Sequence, residues 1–424
     1  MMDLFCCFLL GLAVFTTTSI AQENCLSDNS ITPPTRVGLV SQLYKGQQAF
    51  TVSMLNAITK ATPNENIFFS PYSTYHALLL AYFGSRTHSE QELIKALNLD
   101  WAKDKNQVKS AYVIEKSNRF NRAKNSPIQF ASADKIFFDN RITLNKCMLD
   151  HFVDELESMD FKGNSEQCRV EINSWIANVT QNEIPEMLAA GDVTSETELV
   201  LANAAYFKGQ WESQFDPKAT TRDVFFTTPK IQSLVPMMHK RGTYNLANDE
   251  NLQAYVLDMP YKTSNNDEKN SDISMIIILP SFEENSLEHV LEKLTPEYLE
   301  IVLKDGLARE IDVSLPKFEF EQKLELVPIL RKMGINSIFD RNADLSGFAP
   351  ETINFGDAKH FAKIKVDEEG STAAAATVLF SFRSARPLEP TKFDCNHPFL
   401  FLIYDHKSKA VLFTGIYRDP KTRK

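Results

Sequence analysis

The segment DEEGSTAAAATVLFSFRSAR, residues 367–386, is the stretch on which the reading of this chain turns. Two acidic residues and Gly370 lead into Ser371 and Thr372, then four consecutive alanines, Ala373 to Ala376, then a β-prone run from Thr377 to Phe382, and then Arg383. The alanines alone would fit an ordinary helix start with Ser371 as its cap, since alanine has the highest helix propensity. A helix leaves the sequel unexplained: β-branched and aromatic residues, an Arg383–Ser384 bond, and Pro387 and Pro390 in a polar stretch. The whole reads as an exposed loop that carries a protease substrate sequence.

Working outward, the first third of the chain is helical and the last third is strand-rich. Leu43, Gln47, Phe50, Met54 and Ile58 recur at helical spacing. Asn66 to Ser70 is a short strand-like run ending at Pro71, and Ser73 to Phe83 reads as a buried helix. Thr87 and Glu90 have the spacing of a capping box ahead of a helix through Leu93 and Leu97. Later, Met275 to Leu279, Phe399 to Tyr404 and Ala410 to Tyr417 are continuous apolar runs, the last two joined by the polar turn Asp405 to Lys409. Asn265 to Asp272 reads as an exposed loop. Segregated helices and long buried strands predict an α+β fold.

Of 424 residues, 45 are Lys or Arg and 55 Asp or Glu, a formal charge of −10 that argues against nucleic acid as a partner. At roughly 150 residues per domain the length suggests two or three domains. No repeat and no Gly/Ser or Pro-rich linker divides the chain, however. Leu4 to Val14 is a short apolar run followed by Ser19-Ile20-Ala21, so residues 1–21 read as a secretory signal, although Asp3 stands where a positive charge is usual. The run is too short for the roughly 20 apolar residues of a membrane span. Residues 22–36, with Pro33-Pro34, read as a flexible arm. Cleavage leaves Cys25, Cys147, Cys168 and Cys395; secretion permits disulfides, and sequence leaves open two bridges or fewer.

No zinc-protease HExxH, nucleophile elbow, Walker loop, dinucleotide fingerprint or CxxC pair is present, and the eight histidines are scattered without metal-ligand spacing. The chain instead resembles the serpins, from about residue 40 to 418. The likeness rests on NIFFSP (66–71), INSWI (172–176), VLANAAYFKGQWESQFDP (200–217), LPKFEF (315–320), ADLSGF (343–348), HFAKIKVDEEG (360–370) and HPFLFLIYD (397–405), in the family's order. The resemblance implies one serpin domain over residues 37–424, with three β-sheets, about eight to nine helices and an exposed reactive-centre loop at about 368–392. It also implies a monomeric inhibitor, not an enzyme, needing no metal. On the same resemblance, a trypsin-like serine protease is expected to cleave the loop and to be held as a covalent acyl-enzyme while the loop inserts into the main sheet. The arthropod serpins that restrain extracellular immune cascades, including those leading to Toll signalling or melanisation, are the resembling group. A non-inhibitory carrier or chaperone is the alternative, and small hinge residues speak against it.

Position by position, the resemblance makes Glu368, Glu369, Gly370, Ser371, Thr372, Ala373, Ala374, Ala375 and Ala376 the hinge. Small residues suit a strand that must enter a packed sheet. Family spacing from Glu368 lands the cleaved bond on Ser384, or one residue earlier on Arg383. Arg383 offers a cation to an acidic specificity pocket, so Arg383–Ser384 is preferred over Ser384–Ala385 and Phe382–Arg383. Ser70, Ser73, Asn203 and His360 match the shutter, a polar cluster under the opening sheet. Trp211, Lys317 and Glu368 match the breach, where the loop first enters. Residues 101–124 hold seven Lys or Arg against two acids. Lys105, Lys109, Lys116, Arg119 and Arg122 share one helical face, either solvated or a site for a heparin-like glycosaminoglycan. Asn178-Val179-Thr180 is the one N-glycosylation sequon.

Overall fold

Residues 26, 38–124, 126–262, 272–304, 306–370 and 390–421 are described by the computed structural model. The stripe Leu43, Gln47, Phe50, Met54 and Ile58 is buried along α1 (Leu39–Ala61). The run after Pro71 becomes α2 (Pro71–Gly84), whose every residue is buried; Ser70 caps it by accepting the Ser73 N–H at 3.0 Å, and Pro71 stands where no donor is needed. The remaining helices are α3 (Thr87–Ala96), α4 (Lys105–Ala123), α5 (Lys146–His151), α6 (Phe161–Val179), α7 (Ser286–Lys293), α8 (Pro296–Val302) and α9 (Leu326–Lys332). The strands are β1 (Ile67–Phe69), β2 (Gln129–Asp139), β3 (Leu156–Met159), β4 (Leu199–Lys208), β5 (Thr221–Thr228), β6 (Ile231–Asp249), β7 (Ala254–Pro260), β8 (Ile273–Pro280), β9 (Leu307–Pro316), β10 (Phe318–Glu325), β11 (Ala358–Val366), β12 (Thr391–Asp394), β13 (Phe399–Asp405) and β14 (Ala410–Tyr417).

The α+β expectation holds, with nine α-helices among the described residues. Among the described residues the strand ladders form two sheets rather than three. One has the order β10-β11-β4-β2-β3; the other runs β1-β14-β13-β8-β7-β6-β9-β12, with β5 also on β6. The cause is β6, a 19-residue strand whose start pairs with β5 and whose end pairs with β7, so that two expected sheets share it. The predicted hairpin is present as β13 and β14, turning through Asp405 to Lys409.

α2 runs through the middle of the molecule, packed on β2, β4 and β14. α6 lies across the other face of the five-stranded sheet, where Phe161, Ile172 and Ile176 meet the small residues Ala202 and Ala204 of β4 and Phe361 of β11. Small side chains on β4 let that helix approach while presenting few interlocking groups.

Three expectations change. Thr87 and Glu90 form no capping box: the residue before α3 is Arg86, with no side-chain cap. The Thr87 hydroxyl donates to Asp344 at 2.7 Å, and Glu90 pairs with the buried Lys105 at 2.9 Å. Long-range charged partners outcompete the local motif. Within the segment expected to be a flexible arm, Leu26 is buried in the main core. Cys147 is disulfide-bonded while Cys168 and Cys395 are free and buried, which excludes two bridges among Cys25, Cys147, Cys168 and Cys395. Of the loop expected at 265–272, all but Asp272 lies outside the described residues.

Candidate functional site

At the centre of the five-stranded sheet, β11 and β4 run parallel, paired from Ala358–Leu201 to Lys363–Tyr206. β11 stays paired with β10 as far as Val366, and β4 with β2 as far as Lys208. The two central strands therefore part before they end, while each keeps its outer partner. A strand entering between parallel neighbours from that end runs antiparallel to both, the favourable ladder on each side. β11 leads directly into the alanine-rich segment, so the chain that could fill this gap leaves the sheet at its open end.

The expected shutter residues come together where the pair is still zipped. Asp134, Asn203 and His360 occupy one row across β2, β4 and β11. His360 Nδ1 lies 2.5 Å from Asn203 Oδ1, and the Ser70 N–H donates to His360 Nε2 at 2.9 Å. Only the neutral ring, protonated on Nδ1, satisfies both contacts, and burial holds its pKa down to about 3. The Asn203 amide donates to Ser73 Oγ and to Asp134 Oδ1, each at 2.6 Å, and the Ser73 hydroxyl donates to Asp134 at 2.8 Å. Asp134, whose carboxyl is pushed up by burial, was not expected from sequence; Ser132, which also donates to it, was not either. Polar residues at alternate positions in a strand that otherwise reads Phe-Ala-x-Ala were the available signal. The His360–Asn203 bond crosses the parallel pair β11 and β4.

The residues expected to form the breach meet at the open end. The Trp211 backbone N–H donates to Glu369 O at 3.2 Å, its indole N–H to Asp367 O at 3.0 Å, and the Phe215 N–H to Glu368 O at 2.9 Å. The Trp211 ring is stacked on Tyr261 with centroids 4.6 Å apart. Glu368 takes Lys317 Nζ at 2.6 Å on one oxygen and the Thr220 hydroxyl at 2.7 Å on the other. Burial opposes its charge, but these two donors outweigh it and hold the carboxyl below its ordinary range. Gly370 closes a turn back to Asp367, its φ +80°. A Cβ there would lie 2.3 Å from the Trp211 nitrogen, so glycine is required by both the backbone conformation and the close approach.

Glu368, Glu369 and Gly370 are thus placed, whereas Ser371 to Ala376 and the Arg383–Ser384 bond lie outside the described residues. The five cations share a face of α4; Lys105 is buried and the other four are half-buried. Lys105 is buried on Glu90, Lys116 pairs with Asp154 and Glu155, and Arg122 pairs with Asp405. Lys109 and Arg119 make no ion pair among the described residues. Asn178 is exposed near the end of α6. No group of three or more candidate metal ligands occurs among the described residues.

A family profile described as "Serpin (serine protease inhibitor)" matches residues 45–420. Over 399 residues the chain is 56% identical to "Serine protease inhibitor 88Ea" of Drosophila melanogaster, covering 91% of this chain and 93% of that one. It is 33% identical over 402 residues to "Leukocyte elastase inhibitor" of Sus scrofa, covering 90% of this chain and all of that one. A crystal structure of maspin superposes with a TM-score of 0.80 at 23% identity, over 90% of this chain and 100% of that one, a likeness of fold.

Proposed function

Because this chain belongs to the serpin family of serine protease inhibitors, we propose that it is a secreted suicide-substrate inhibitor of trypsin-like proteases, cleaved at Arg383–Ser384. The observation that carries the proposal is the parallel pair β4 and β11, parted at the end where the hinge begins. The attacking protease serine adds to the Arg383 carbonyl; the amide bond breaks, the new amine leaves on Ser384, and Arg383 stays esterified to the protease. Residues 371–383 are then free to enter the sheet. At about 3.3 Å per residue they reach roughly 43 Å, against about 33 Å for β4, so a fully inserted loop carries the acyl-enzyme past the far end of the sheet. Alanine at four successive hinge positions keeps insertion from overpacking against α6 on one face and α2 on the other.

Trypsin-like specificity is supported by the guanidinium of Arg383, and secretion by the apolar run Leu4 to Val14 and the disulfide at Cys147. Consumption of one inhibitor per protease, outside the cell, suits a negative regulator of an extracellular protease cascade. The exposed Asn178 is the proposed glycan acceptor. A heparin-like cofactor gains little support from α4, since three of its five aligned cations are already neutralised. The test is incubation of the mature chain with trypsin. The expected products are a complex stable on a denaturing gel and a released C-terminal fragment that begins at Ser384. Cleavage without a complex would install the carrier or chaperone reading, and a fragment beginning at Ala385 would move the reactive bond.

A further inference from the structure

The end of the five-stranded sheet opposite the breach carries a cavity of about 400 Å³, between the chain that enters β4 and the chain that enters β11. The carboxylates of Asp192, Glu196, Glu198 and Asp357 stand in its lining with one cation, Lys359. Lys359 is committed to Asp192 at 2.7 Å and lies 3.6 Å from Asp357. Glu196 and Glu198 have no cation at ion-pair distance among the described residues. Arg141 acts on them only through its field, because its guanidinium is held by Asp139 and by the Ser195 carbonyl at 3.3 Å. Both glutamates are exposed, so the cavity presents a net negative charge to whatever enters it.

The register of the sheet sets what an inserted loop would bring to this cavity. Gly370 turns back on Asp367, and a strand continuing from that turn antiparallel to β11 places residue 371 opposite Val366. Each further residue then stands opposite one residue earlier on the β11 side, and Arg383, twelve residues on, comes opposite Asn354. β11 and β4 are aligned from Ala358–Leu201 onward, and the same alignment carried four residues back puts Asn354 level with Thr197. Asn354 and Thr197 both line the cavity, and Thr197 lies between Glu196 and Glu198 in the chain. Arg383 is also the only charged residue of 371–383. A cation carried into the end of a packed sheet is costly unless it finds a carboxylate, and the register delivers this one to two carboxylates without a paired cation.

We propose that this cavity receives the Arg383 guanidinium once the loop has inserted, with Glu196 and Glu198 as its carboxylate partners; the inference rests on the inhibitory reading above. The guanidinium cannot occupy the acidic specificity pocket of the protease and this cavity at once. Capture here withdraws it from the protease and moves the acyl carbonyl out of register with the protease's oxyanion donors. Deacylation, in which water adds to the Arg383 ester, the bond to the protease serine breaks and a free carboxylate is left on Arg383, is slowed. Arginine is thus selected twice, by the protease when it binds the loop and by the inhibitor's own far end afterwards. The test is the lifetime of the trypsin complex, followed as recovery of trypsin activity from purified complex. Glu196→Gln combined with Glu198→Gln is expected to shorten it about threefold or more, the scale of a partly exposed ion pair, while trypsin cuts the loop at an unchanged rate. Arg383→Ala presented to elastase, whose small specificity pocket excludes Phe382, provides the companion pair: its complex should last equally long with and without the two glutamine substitutions. Equal lifetimes in the trypsin complexes, or the same shortening with alanine at 383, would overturn the proposal and leave the inhibitory reading intact. If the unaltered chain formed no complex stable on a denaturing gel, the inhibitory reading would fall and this inference with it.

Discussion

Gly370 and His360 show how single residues set the state of this sheet. At Gly370 a side chain would have to occupy the space of the Trp211 backbone at positive φ. Gly370→Ala is therefore expected to cost about 1–3 kcal/mol from backbone conformation and close contact together, read as a lowered midpoint in denaturant unfolding; an unchanged midpoint would mean the turn tolerates a Cβ. His360 works through protonation. Its folded pKa of about 3 lies below the ordinary histidine value, so in this range the unfolded chain binds the proton and the folded one does not. The stability it contributes is fully present above about pH 6.5 and is lost progressively as pH falls toward 3, at up to about 1.4 kcal/mol per pH unit. Unfolding measured between pH 7 and 4 should show this slope reduced in His360→Gln, and identical slopes in both proteins would remove His360 from the account. The four shutter residues were legible from the sequence as motif matches. Asp134 was not, because its role arises from standing opposite Asn203 on a neighbouring strand, and pairing register is a long-range property.

At the scale of elements, the proposed function requires the strand pair β4 and β11 to take up the segment that follows β11. Insertion requires each new residue to offer a backbone donor to the ladder and a side chain small enough for the space between α2 and α6. Proline fails the first requirement, since it has no N–H and resists the interior of a sheet. Ala375→Pro should thus convert the inhibitor into a substrate: trypsin cleaves it at the same bond and is released active. Full yield of the gel-stable complex from this variant would refute the insertion argument. The elements themselves were legible where their signal was local. The stripe of α1, the buried run of α2 and the β13–β14 hairpin all appear as their patterns predict. The capping box at Thr87 and Glu90 did not form, because Asp344 and Lys105, distant in sequence, bind both side chains.

On the scale of the whole molecule, what matters is whether the sheet stays closed until a protease cuts the loop. In the proposed mechanism two contacts hold it, the His360–Asn203 bond in the middle and the Lys317–Glu368–Thr220 cluster at the open end. Lys317 is partly exposed, so this ion pair adds little to global stability; its effect lies in which strands stay together. Glu368→Lys replaces attraction by repulsion and should let the gap accept the loop of a second copy. Oligomers are expected on mild heating at concentrations where the unaltered chain stays monomeric, and light scattering that finds only monomer would count against the latch. The sequence by itself determined the segregation of helices and strands and the order of the family's motifs along the chain, since these depend on neighbours along the chain. Only the tertiary structure decided that β4 and β11 lie parallel and part early, and that three of the five aligned cations of α4 find carboxylate partners. Each of these depends on which distant strand or helix supplies the opposing surface, and no local pattern encodes that partner.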